Sequence, residues 1–195
     1  MVMTTNVPLR RRLRITEPDT SMATIFVTAD SSEPTCRYLA HENLVVHYSP
    51  FFKEALQGNF AEAESKTVTL TDVDPTDVED FISWIYHQRF PERETDGLET
   101  VNQWSGTDGQ STNQTTRMIS LYIFCDKYDV PDLKRILIDE LFNHMKHRHT
   151  LLPRVGSTRD AFERLPHNDP LCHFLVDVHS KFAYSTVWTE SEATA

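Results

Sequence analysis

Hydrophobic and polar residues follow two different spacings along the chain, one typical of strands and one typical of helices. The β-prone runs 24–28 and 36–40 lie on either side of a polar segment, which predicts a hairpin with a long connection. Val68 and Leu70 alternate with threonines, as in a half-buried strand. The pattern therefore predicts three short strands, and the remaining apolar residues recur mostly at helical spacing.

The stretch 41–70 carries the clearest start and stop signals in the chain. Ser49 followed by Pro50 is typical of a helix start, because the Ser hydroxyl caps free N–H groups and Pro suits the first helical position. Apolar residues at helical spacing predict the buried face of this helix: Phe51, Phe52, Ala55 and Leu56. Gly58 and Asn59 tolerate the left-handed conformation that often ends a helix. We therefore expect a helix, a glycine stop, an acidic loop and then the third strand.

Further helices are predicted on both sides of a long polar segment, 88–116, which we interpret as a loop anchored by Phe90 and Trp104. Asp74-Pro75 begins a helix whose buried face is Val78, Phe81, Ile82 and Ile85. Helices over 118–128 and from Pro131 onward predict a helical hairpin. Two more helices, 157–165 and 169–184, are too short to bury a core alone and should pack on the main domain.

Composition and charge narrow the class of protein. The 195 residues carry a formal charge of −10, which repels phosphate backbones and argues against direct nucleic-acid binding. Three widely spaced cysteines argue against a disulfide framework. No apolar run reaches the roughly 18 residues that a membrane helix needs, and the first residues lack a signal-peptide core. We expect a soluble intracellular protein, cytoplasmic, nuclear or both, with no membrane partner.

The segment 1–22 is polar and contains four arginines between Arg10 and Arg14. Such a composition predicts a disordered basic arm. A solvated tail is the plain interpretation, and a nuclear import signal or an acid-binding arm is the functional one.

Catalytic chemistry has little support in the sequence. There is no GxSxG elbow, no glycine-rich phosphate loop and no HExxH motif, so we predict no catalytic residues and no cofactor. Cys125 lies in an apolar helical pattern, which predicts core packing rather than a reactive thiol. The four acidic residues Asp72, Asp74, Asp77 and Asp80 fall at a helix start, where they favour the helix dipole.

The histidines near the C-terminus suggest an alternative from another functional class, a metal-binding protein or a metal-dependent enzyme. The candidate ligands are His144, His147, His149, Cys172, His173 and His179. His144 and His147 could share a helix face, but no CxxC is present. We therefore predict histidines at solvated helix ends and no metal site.

Three ordered blocks of sequence resemble the BTB/POZ domain family, most closely its single-domain fungal members. They are 41–70 with its SPFF and VTL runs, FISWIY at 81–86, and LYIFCDKYDVP at 121–131. The resemblance implies an α+β fold, a small mixed sheet capped by a cluster of helices, with a helical C-terminal extension. The expected division is a basic arm over 1–22, a BTB/POZ domain over 23–147, the extension over 148–188 and a tail over 189–195.

The family resemblance also implies a function, a non-enzymatic protein–protein interaction module. BTB adaptors that recruit a cullin ubiquitin-ligase scaffold carry a hydrophobic–any–acidic triplet after the helix that Ser49 begins here, and this chain has Phe60, Ala61 and Glu62 at that place. An exposed aromatic beside a carboxylate is a plausible hot spot. The alternative is that Phe60 folds back onto the core and Glu62 is merely solvated.

Self-association is a second property that the resemblance implies. The residues 1–22 show no amphipathic stripe like that of the dimerising members, which leaves a monomer or a smaller homodimer interface around Leu44, Val45 and His47. No Kelch repeat or zinc finger follows the domain. A BTB scaffold for transcriptional regulation therefore remains the alternative to a cullin adaptor.

Overall fold

A computed structural model of the chain describes residues 21–28, 36–91, 96, 101, 104, 111–147 and 153–192. For 111–113, 147 and 182–192 the description is limited to the backbone. The predicted arm lies almost entirely outside these residues, although Met22 belongs to the first strand. The described residues also exclude His149 and most of the polar segment 92–110.

Three strands form one mixed sheet in the order β2-β1-β3. The strands are β1 (Met22–Thr28), β2 (Cys36–His41) and β3 (Thr67–Thr71). β1 and β2 are antiparallel with Ile25 opposite Tyr38, and β1 and β3 are parallel with Ile25 opposite Val68. The hairpin and the mixed sheet are both confirmed.

Eight helices complete the described part of the chain. They are α1 (Glu42–Tyr48), α2 (Pro50–Gln57), α3 (Ala61–Ser65), α4 (Pro75–His87), α5 (Ser111–Lys127), α6 (Pro131–His147), α7 (Val155–Arg164) and α8 (Pro170–Glu192). Ser49 and Asp74 cap α2 and α4 through hydrogen bonds from the N–H groups of Phe52 and Thr76. α5 and α6 pack as the predicted hairpin, and the α+β class is confirmed.

One hydrophobic core extends from the inner face of the sheet to α8. Phe52 of α2 stacks on Phe81 of α4 with ring centroids 5.8 Å apart, at the centre of this core. Leu171 and Leu175 of α8 are fully buried in the same cluster, so the C-terminal helices pack on the main domain as predicted. Cys125 is also buried, and its burial raises the pKa of the thiol well above its usual range, as expected of a core residue.

The end of α2 differs from its prediction. Gly58 has φ −81° and ψ −157°, an extended rather than a left-handed conformation. A Cβ at this position would lie 2.3 Å from the carbonyl oxygen of Glu54, so close approach of two backbone segments is what requires glycine. The acidic loop predicted next is in fact the short helix α3, which ends at Lys66 in the left-handed conformation with φ 52°.

The burial of one residue and the bounds of two helices also differ. Phe51 lies beside the buried stripe of α2 rather than in it and is 38% exposed. α5 begins at Ser111, inside the predicted loop 88–116, and α8 continues to Glu192, inside the predicted tail. The loop anchors are supported, because Trp104 is buried and stacks against Phe90 with centroids 4.8 Å apart.

Asp169 attaches the C-terminal extension to the rest of the chain. Its carboxylate caps α8 by accepting from the N–H of Leu171 at 2.8 Å, and it accepts from the hydroxyl of Tyr122 in α5 at 2.9 Å. Lys134 of α6 lies 2.7 Å from the second carboxylate oxygen and also pairs with Asp126. A single buried carboxylate thus joins α5, α6 and α8.

We expect Asp169→Ala to lower the free energy of unfolding by about 2–3 kcal/mol, because it leaves a buried hydroxyl without a partner and a partly buried ammonium with one carboxylate fewer. Urea unfolding measures this difference. Asp177→Ala removes an exposed carboxylate from the same helix and should change stability by less than about 0.5 kcal/mol. Equal effects of the two substitutions would contradict the role of Asp169.

The two described glycines in or beside helices should respond in opposite ways to alanine. Gly58→Ala places a methyl group against the Glu54 carbonyl and should destabilise the protein by about 1–3 kcal/mol. Gly156 lies in α7, where an added methyl group would have no neighbouring atom within 4 Å, so Gly156→Ala should stabilise by about 0.5 kcal/mol. Thermal unfolding of both variants tests the contrast, and a neutral Gly58→Ala would show that the backbone can move apart.

Candidate partner-binding surface

The triplet Phe60, Ala61 and Glu62 lies on the surface between α2 and β3. Phe60 occupies the N-cap position of α3 and is 60% exposed, and Ala61 and Glu62 are exposed in the first turn of that helix. The ring of Phe60 therefore does not fold back into the core. The triplet is therefore accessible to a partner, and its contact role stays a prediction.

Phe60 forms one wall of a shallow surface groove of about 590 Å³, called the Phe60 groove here. Phe51 also lines it, and its exposed ring packs edge-on against Tyr128 with centroids 5.1 Å apart. The full lining is Pro50, Phe51, Glu54, Ala55, Phe60, Glu62, Val68, Thr69, Lys127 and Asp129. The groove thus combines two exposed aromatic rings with carboxylates and one ammonium.

The sequence predicts the triplet at this site but not its neighbours. The apolar spacing of α2 predicts a buried Phe51, yet a residue one step from Phe52 is turned about 100° away from it. Lys127 and Asp129 come from the α5–α6 turn, more than fifty residues later in the chain. No local signal in the sequence connects that turn to Phe60.

The segment that carries Phe60 is fixed at both ends by the buried carboxylate of Glu42. Lys66, which ends α3, donates to Glu42 at 3.0 Å and to the Leu56 carbonyl at 2.8 Å. The amide of Gln57 and the hydroxyl of Ser21 also donate to Glu42. Burial alone would raise the pKa of Glu42, but these hydrogen bonds and the Lys66 charge lower it below its usual value.

The residues predicted for self-association do not form an exposed apolar surface. Leu44 is 5% exposed and Val45 is fully buried, because both point from α1 into the core. His47 is half-buried and packs edge-on against Tyr48 with centroids 4.7 Å apart. These contacts place the predicted interface residues within the domain, and we propose no dimer through them.

The candidate metal ligands are spread over several environments. His179 lies 3.2 Å from the hydroxyl of Thr158, Cys172 is buried against α7, and His173 is exposed. Within the described residues no three His, Cys, Asp or Glu side chains are grouped as metal ligands would be. His149 lies outside those residues, and of His147 only the backbone is described.

A second concavity of about 850 Å³, called the acidic groove here, lies between the start of α4, α5 and α7. Its lining includes Asp72, Asp74, Asp77, Asp126 and Asp160. The sequence analysis interprets Asp77 and Asp80 as charges that favour the dipole of α4. In the structure both also have partners in α5. Asp77 accepts a hydrogen bond from Ser120 at 2.8 Å, and Asp80 pairs with Arg117. Burial raises the pKa of Asp77 to about 7, although the hydrogen bond from Ser120 opposes the shift.

Comparison with protein families matches residues 21–103 to the BTB/POZ domain. The match spans the sheet and α1 to α4, the elements that carry Glu42 and Phe60. The chain carries a BTB/POZ domain. No curated protein matches the chain.

BTB/POZ domains are protein–protein interaction modules and also mediate dimerisation; the family is not typically enzymatic. This chain therefore contains a protein-interaction module. In the described ranges, no helix is both long and apolar enough to cross a bilayer. The match ends at 103, so extension of the BTB/POZ domain through the α5–α6 hairpin to residue 147 stays a proposal, supported by their shared core.

Asp77 should make stability depend on pH. Between its ordinary pKa of 3.8 and about 7, the folded state binds a proton that the unfolded state has released, so stability falls as pH rises through this window, by up to about 1.4 kcal/mol per pH unit. The loss is nearly complete about one pH unit above the folded-state pKa. Asp77→Asn cannot ionise, so the variant should gain stability relative to the native protein between pH 4 and pH 8.

Urea unfolding at pH 4, 6 and 8 tests this prediction. Asp139→Asn, at an exposed position of α6, serves as the control and should keep the pH dependence of the native protein. Parallel curves for Asp77→Asn and the native protein would show that Asp77 ionises normally.

Proposed function

We propose that this protein is an adaptor that binds a cullin ubiquitin-ligase scaffold through the Phe60 groove. The observation that carries the proposal is the 60% exposure of Phe60, with the Glu62 carboxylate beside it in the same groove. The residues stand where the resemblance to cullin-binding BTB adaptors implies the contact triplet.

The groove has the physical character of a protein contact site. Aromatic side chains that are exposed in the free protein and buried by a partner dominate many interfaces, since each ring removes a large apolar area from water. Phe60 and Phe51 provide two such rings on one surface. Glu54 and Glu62 beside them fix the orientation of a partner that offers a cation next to an apolar side chain.

Rigid positioning also favours this function. α3 is short, but the hydrogen bonds of Lys66 and Gln57 to Glu42 hold both of its flanking connections. A preorganised contact loses less conformational entropy on binding than a mobile one. The groove is therefore suited to recognise a preformed surface such as a folded helical scaffold.

Calorimetric titration of the whole chain with the N-terminal region of a cullin tests the proposal. We expect binding that Phe60→Ala weakens by at least about tenfold, because truncating a central aromatic of an interface typically costs more than 1 kcal/mol. Adding Glu62→Ala should weaken it further.

Phe142→Ala is the matched control, since Phe142 is 55% exposed on α6 and does not line the groove. This variant should bind like the native chain. Absence of binding by the native chain would overturn the cullin proposal and favour a BTB scaffold for other proteins, including transcriptional regulators. Equal losses from Phe60→Ala and Phe142→Ala would place the contact outside the groove.

A further inference from the structure

The acidic groove combines an apolar floor with a charged rim. Ile119, Ile123 and Val73 line it although Ile119 is 1% and Ile123 9% exposed, so its floor reaches the core between α5 and α7. Asp72, which follows β3, and Asp160, which lies on α7, both contribute carboxylates to the lining. This lining suits a segment that has both apolar and charged side chains.

The charges on the rim define the kind of segment. Five aspartates line the groove, but Asp126 pairs with Lys134 and the pKa of Asp77 is about 7. The lining also holds two cations, Lys127 and Arg164, and Lys127 already donates to the carbonyl of Thr71 at 2.8 Å. The aspartates without a paired cation among the described residues, Asp72, Asp74 and Asp160, still exceed these cations in number. Carboxylates on low-dielectric walls attract cationic groups most strongly. A basic occupant is therefore favoured over a neutral or acidic one.

The chain itself contains a segment with these properties. Residues 7–15 read VPLRRRLRI, in which the four arginines are interleaved with Leu9, Leu13 and Ile15. Its arginines match the carboxylates of the rim, and its aliphatic side chains match the isoleucines of the floor. The overall charge of −10 makes so compact a basic stretch exceptional within this sequence.

Chain length allows this segment to reach the groove. Ser21 precedes β1, and Asp72 follows β3, which runs parallel to β1, so the two lie at opposite ends of the sheet. The seven residues of β1 span about 20–25 Å. An extended chain covers about 25 Å from Arg14 to Ser21 and about 40 Å from Arg10 to Ser21.

We propose that the arginine-rich segment 7–15 binds in the acidic groove of the same chain. Its arginines pair with the rim aspartates, and its leucines and isoleucine contact the floor. Lys127 lines both the acidic groove and the Phe60 groove, so the bound segment would lie next to the proposed partner surface. The inference does not depend on the identity of that partner.

Photo-crosslinking of the full chain tests the proposal. Asp160→p-benzoylphenylalanine places the probe on the rim, at a half-exposed position for which the described structure shows no hydrogen bond or ion pair. After irradiation and Glu-C digestion, we expect a crosslink between α7 and the peptide that contains residues 7–15. Reversing the charges of Arg10, Arg11, Arg12 and Arg14 to Asp, which adds no Glu-C cleavage site under Glu-specific conditions, should reduce its yield by at least about fivefold, because several ion pairs are lost together.

Val155→p-benzoylphenylalanine is the control, since Val155 is 80% exposed on the same helix and does not line the groove. It should give no such crosslink, and circular dichroism should show the fold of both probe variants intact. Mixing isotope-labelled and unlabelled chains separates crosslinks within one chain from those between two. Crosslinks between chains, an equal yield from Val155, insensitivity to charge reversal, or no crosslink to 7–15 would each overturn the proposal.

Discussion

The buried carboxylate of Glu42 holds together the segments on which the partner-binding surface depends. It receives hydrogen bonds from before β1, from the end of α2 and from the end of α3, and it lies itself at the junction of β2 and α1. A buried charge needs such partners, because removal from water is costly unless every lone pair is satisfied. Two of these partners, Gln57 and Lys66, lie on either side of Phe60 in the chain. The hydrogen bonds that satisfy the buried carboxylate therefore also fix the position of Phe60 on the surface.

Much of the fold could be predicted from local patterns. The caps of Ser49 and Asp74, the alternation in β3 and the helical hairpin from Pro131 all follow from short-range physical rules, and the structure bears them out. The errors concern tertiary contacts. Gly58 is required by the approach of the Glu54 carbonyl rather than by a left-handed turn, and α3 ends at a left-handed Lys66 that its bonds to Glu42 and Leu56 hold in place.

The candidate site could be predicted only in part. Phe60 and Glu62 follow from a sequence resemblance, and their exposure agrees with a contact role. Leu44 and Val45 are buried, which the sequence does not predict because an apolar run in a short helix does not reveal which side faces the core; self-association through this region stays a prediction. The acidic groove has no sequence signal because its aspartates come from three separate parts of the chain, and only tertiary packing brings Asp160 of α7 near Asp72.

The central position of β1 in the sheet has a consequence for the order of folding. Its hairpin with β2 closes the shorter of two loops, whereas its parallel pairing with β3 closes a loop that contains α1, α2 and α3. Closing a longer loop costs more chain entropy and slows the pairing. Because Phe60 lies within that crossover, we expect its surface to be complete only after the last strand has joined, so that a nascent or partly folded chain does not display it to a partner.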